Sequence, residues 1–120
     1  MYTFETHHPF FFYVGKDEQG IRDLKEYGEL YKEHLLAIPV KYQDIDRSWD
    51  LIFALNDRLS LMIDICEAEE INVKKLPEAL KIAEDMIEKE KDAEKAASMK
   101  IFASAIQTAI FYHSPLLIWW

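Results

Sequence analysis

The stretch Arg47-Ser48-Trp49-Asp50-Leu51-Ile52-Phe53-Ala54-Leu55-Asn56-Asp57-Arg58-Leu59-Ser60-Leu61-Met62-Ile63-Asp64-Ile65-Cys66-Glu67 decides how this chain is read. It is dense in large apolar side chains and contains neither glycine nor proline. Such a run predicts one helix over about 47–67, and a helix apolar on most of its circumference belongs at the centre of a domain. Asp46 or Ser48 can cap its start by accepting from the free backbone N–H groups of the first turn.

The charges within this segment follow a pattern. Asp50, Asp57 and Asp64 recur at intervals of seven, and seven residues advance a helix by two turns less about 20°, so on one continuous helix they form a narrow stripe. Phe53 and Leu61 project beside it. A nearly buried helix needs one solvated edge, which this stripe supplies. The same stripe is also an acidic surface with apolar anchors, suited to a basic protein partner. Asp50, Phe53, Asp57, Leu61 and Asp64 are therefore the candidate partner-binding residues.

Working outward, Ile21, Leu24, Tyr27, Tyr31 and Leu35 recur at helical spacing and predict an amphipathic helix from Asp17 to about Leu36, with Gly28 inside it. Ala37 to Asp46, with Pro39 and several turn-forming residues, reads as a loop. On the other side, Pro77 suits the first turn of a third helix carrying Leu76, Leu80, Ala83 and Ile87 on one stripe. Asp92 is a cap for a fourth, lined by Met99, Phe102, Ile106 and Ile110 and stopping near Ser114-Pro115.

Both ends of the chain are apolar and rich in strand formers. Pro9 to Val14 is aromatic and closes at Gly15, and Leu116-Leu117-Ile118-Trp119-Trp120 follows Pro115. Pairing them satisfies both backbones. The expectation is a mainly α fold: about four helices packed around the central apolar helix, with a small two-stranded sheet formed by the N- and C-terminal segments, all in one compact domain over 1–120. An exposed edge bearing Phe11, Tyr13, Ile118 or Trp120 would favour self-association.

Composition narrows the function classes. The 120 residues are 50% apolar, enough for a core without disulfides or a structural metal. Acidic residues number 22 against 14 basic, a formal charge of -8, so the field of the protein repels nucleic acid and anionic lipid. The excess lies in the first 72 residues, and 101–120 carry no charge. That last segment is long enough to span a bilayer, but Ser104, Gln107, Thr108, His113 and Ser114 interrupt it and Pro115 divides it; a buried core segment is the reading. The single Cys66 and an aromatic N-terminus, Met1 to Phe12, that contains Glu5 and no Lys or Arg point to a cytoplasmic location.

No catalytic, cofactor-binding or metal-ligating residue emerges. Gly15, Gly20 and Gly28 match no phosphate loop. His7, His8, His34 and His113 form no zinc motif, and Tyr31 and Ile110 stand where a di-iron bundle needs Glu. Asp44 to Asp50 fails as a calcium loop, because Trp49 replaces the turn glycine and Leu55 the closing Glu. Acidic neighbours disfavour a Cys66 thiolate, and the serines lack a nucleophile motif. The expected function is a small acidic protein-binding module, such as an immunity or inhibitor protein masking a basic partner like a nuclease toxin. The alternatives are a structural homo-oligomer, as a homodimer, and a small-molecule-binding domain or enzyme without a recognisable motif.

Overall fold

The computed structural model describes residues 10–26, 33–65 and 67–120. Its first strand, β1 (Phe10–Gly15), sends Phe10, Phe12 and Val14 to one face and Phe11 and Tyr13 to the other. Both faces are covered, which is why the segment reads as continuously apolar. There follow α1 (Glu18–Glu26), β2 (Leu35–Val40), α2 (Tyr42–Arg47), α3 (Trp49–Leu59), β3 (Ala68–Ile71), α4 (Leu76–Lys89), α5 (Ala93–Phe111) and β4 (Leu116–Trp119).

The expectation of a small two-stranded sheet is corrected. The terminal strands do pair, Phe12 opposite Ile118 and Val14 opposite Leu116, but as the inner strands of a four-stranded antiparallel sheet ordered β2-β1-β4-β3. The edges are β2, with Phe12 opposite Ile38, and β3, with Ile71 opposite Leu116. Neither edge was expected as a strand. Pro39 made 37–46 look like a loop, yet an edge strand tolerates a proline whose missing N–H would face outward. β3 reads Ala-Glu-Glu-Ile, a poor strand on propensity that, among the described residues, gains its pairing from β4 alone.

The sheet, rather than one helix, organises the packing. Phe10, Phe12, Val14, Ile71, Leu116 and Ile118 on its inner face meet Leu51, Leu55, Ile82, Met99, Phe102 and Ile106 from the helices. On the opposite face Leu24 of α1 packs with Leu35, Leu117, Tyr13 and Trp119. A helix–sheet–helices sandwich results, with edge-on contacts among Phe12, Phe102 and Trp120 at its centre. The twenty uncharged residues from Ile101 divide between the end of α5 and β4, and among the described residues no helix is long and apolar enough to cross a membrane.

Particular side chains set the connections. Pro77 stands in the first turn of α4, and the Asp92 carboxylate accepts from Glu94 N–H and Lys95 N–H to cap α5. α5 ends with His113 in the left-handed region and Ser114 N–H reaching Ala109 O, which closes its last carbonyls. The buried Ser114 hydroxyl accepts from Gly15 N–H at 2.8 Å and donates to Pro115 O at 2.7 Å, joining β1 to the entry of β4. α2 docks on α5 through Ser98, whose hydroxyl donates to Asp44 Oδ1 at 2.7 Å, and through the Arg47–Glu94 ion pair.

The central helix predicted over 47–67 ends at Leu59. Ser60 turns left-handed at φ 55°, Leu61 N–H reaches back to Asn56 O, and the Lys75 ammonium donates to the Leu59 carbonyl at 2.6 Å. A cation at this end also complements the helix dipole. The first helix is likewise shorter than expected, since Leu35 and Leu36 belong to β2. Gly28, Tyr27, Tyr31, Cys66, His7 and His8 lie outside the described residues.

Candidate functional site

α3 buries Leu51, Ile52, Leu55 and Leu59. At 100° per residue its opposite face must carry Asp50, Phe53 and Asp57, and all three are exposed, Phe53 by 61%. Trp49 stacks on Phe53 one turn along, ring centroids 5.4 Å apart and planes 29° from parallel.

Beyond Ser60 the chain returns along this helix instead of continuing it. The Asn56 side chain makes the return possible by imitating a strand: Ile63 N–H donates to its Oδ1 at 2.8 Å, and its Nδ2 donates to Ile63 O at 3.1 Å. Met62 N–H is held by Glu69 Oε2 at 2.6 Å, and Ile65 N–H by Asp64 Oδ1 at 2.7 Å. Leu61 and Ile63 thereby point into the core, at 8% and 2% exposure, while Met62 between them stands 72% exposed. Between helix and returning loop lies a hollow of about 470 Å³ lined by Trp49, Phe53, Asn56, Ile63 and Asp64. A second, of about 290 Å³, continues past Asn56 to Met62 and Glu67.

The five residues singled out from the sequence fare differently. Asp50, Phe53 and Asp57 share the outer face of α3. Asp64 is no longer on the helix, but the loop brings it to the same hollow as Phe53. Leu61 is turned inward, and Met62 holds the exposed apolar position on this surface. Sequence periodicity could not have found Met62, because on a continuous helix it falls among buried neighbours. Asp50, Asp57, Asp64 and Glu67 are all exposed around the two hollows. Against these four carboxylates α3 itself carries one cation, the exposed Arg58 of its last turn, so acidic groups outnumber basic ones on this surface.

Elsewhere, His34 Nδ1 lies 2.8 Å from Asp17 Oδ2. Asp17 is held below the usual carboxylate range, first by the Gly20 N–H and then by His34, while His34 is raised by the Asp17 hydrogen bond. This exposed clasp ties the start of α1 to the start of β2. Among the described residues no group of three or more His, Cys, Asp or Glu side chains is placed to hold a metal ion. No protein-family model, curated protein or solved structure matches this chain.

Proposed function

We propose that this chain is an acidic protein-binding module that captures a basic protein partner on the outer face of α3 and the loop folded against it. The observation that carries this reading is the pairing of two strongly exposed apolar side chains, Phe53 and Met62, with a surround of exposed carboxylates, Asp50, Asp57, Asp64 and Glu67. Apolar anchors at the centre of a contact supply most of its affinity once desolvated, and charges at the rim govern approach and partner choice. The overall charge of -8 acts in the same sense at longer range. An immunity or inhibitor role, in which this face covers the basic surface of a nuclease or other effector, is the form of the reading that composition favours.

The test is affinity capture from the native organism, followed by binding measurements on the purified pair. Reversing Asp50, Asp57 and Asp64 together to Lys is expected to slow association by tenfold or more at low salt, and Phe53→Ala to speed dissociation. A partner bound equally well by the triple reversal and by Phe53→Ala would place its contact elsewhere and end this assignment.

A further inference from the structure

The outer edge of β2 and the last turns of α5 lie side by side. Between them runs a groove of about 620 Å³ lined by Leu36, Ser104, Gln107, Thr108, Phe111 and Tyr112. It carries no charged side chain, and Phe111, 75% exposed, packs edge-on against Tyr112. The groove shares no residue with the α3 surface.

Hydrogen-bond parity shows which groups of β2 face outward. Lys16 N–H donates to His34 O, and Gly15 N–H turns the other way to Ser114. Alternation along an antiparallel ladder then directs His34, Leu36, Ile38 and Val40 toward β1, and Leu35, Ala37 and Pro39 away from it. Pro39 agrees with this parity, since it has no N–H to give β1. Among the described residues no strand pairs with the outward set.

We propose that this edge and groove form a homodimer interface, in which β2 pairs antiparallel with β2 of a second copy about a dyad at Ala37. The Ala37 residues of the two copies then exchange both backbone hydrogen bonds, and Leu35 N–H of each meets the Pro39 carbonyl of the other. Pro39 costs only the bond its nitrogen cannot make, at the solvated ends of the pairing. Carried past the strand, the same register sets exposed Lys41, one residue after its end, opposite exposed Glu33 of the other copy, two residues before its start. Leu36 adjoins the dyad, so the two grooves and their Phe111 rings meet over the seam on the helix-bearing side. A second copy, which brings its own complementary edge, fits here better than a basic partner, to which the groove offers no carboxylate, or a phosphate, to which it offers no cation. For two chains of charge -8, a surface without carboxylates is where close approach adds least to their repulsion.

Sedimentation equilibrium of the full chain from micromolar to millimolar concentration tests this. A reversible dimer is expected. Glu33→Lys and Lys41→Glu should each weaken it about tenfold, because the dyad turns two attractions into two repulsions, and the double reversal should restore it. Both positions are exposed, so circular dichroism should show the fold unchanged. Phe111→Glu should leave only monomer. A chain that stays monomeric throughout, a dimer indifferent to Phe111→Glu, or a double reversal as weak as the single ones would each overturn the proposed interface.

Discussion

Gly20 governs how closely α1 lies against the sheet. A Cβ added there would fall inside contact distance of the His34 carbonyl oxygen and 3.0 Å from Gly15 Cα, while one added at Gly15 would stand 2.6 Å from the Ile21 backbone nitrogen. Backbone meets backbone at this crossing, which only a residue without Cβ allows. For Gly20→Ala two effects oppose. Helix propensity favours alanine by about 1 kcal/mol, whereas overpacking against atoms that cannot rotate away costs about 1–3 kcal/mol. With the added Cβ this close to the His34 carbonyl oxygen the clash prevails, and urea unfolding should show a net loss of up to about 2 kcal/mol; a midpoint unchanged or raised would mean that α1 shifts freely. Nothing in the sequence separates this glycine from one in an ordinary turn, because its neighbour across the gap, His34, is fourteen residues away. Pro77 and Asp92 were legible for the opposite reason, since their chemistry acts on the backbone within three residues of themselves.

At the scale of elements, α3 stops where its sequence continues to look helical. The left-handed position is occupied by Ser60 rather than the glycine that ordinarily signals it, and the stop depends on Asn56, Lys75 and Glu69 acting from a distance. Hence the sevenfold repeat of Asp50, Asp57 and Asp64 suggested a stripe, while the fold separates the third carboxylate from the helix and returns it by a loop. Asp50, Phe53 and Asp57 were legible because they lie within the true helix; Met62 was not. Asn56 is the part on which the returning loop depends most. Asn56→Ala removes both of its bonds to Ile63 and leaves that backbone pair unsatisfied, a loss of about 1–3 kcal/mol. Hydrogen exchange at the Ile63 amide should accelerate far more than at amides of α5. Equal protection at Ile63 in the variant would show that burial of Leu61 and Ile63 alone holds the loop.

At the scale of the whole molecule, the strands escaped a sequence reading because a strand is defined by its neighbour. Leu35–Val40 and Ala68–Ile71 are edges recruited by the strongly apolar β1 and β4, and their own residues speak weakly for them. The same architecture gives the two proposed surfaces opposite responses to salt. Two copies with centres roughly 40 Å apart and charges of -8 repel by about 2 kcal/mol when the Debye length is ~30 Å, and by almost nothing when it is ~8 Å. The Lys41–Glu33 pairs act over only a few ångströms and lose together about 0.5 kcal/mol over that change. Screening therefore relieves more repulsion than it costs in attraction. Raising ionic strength from about 0.01 M to about 0.15 M should tighten the dimer by about tenfold in sedimentation equilibrium. Capture of a basic partner on the α3 face should instead slow, since there the long-range field and the local pairs are both attractive. A dimer that loosens steadily with salt would mean that local ion pairs, not the neutral seam of β2 and α5, dominate its interface.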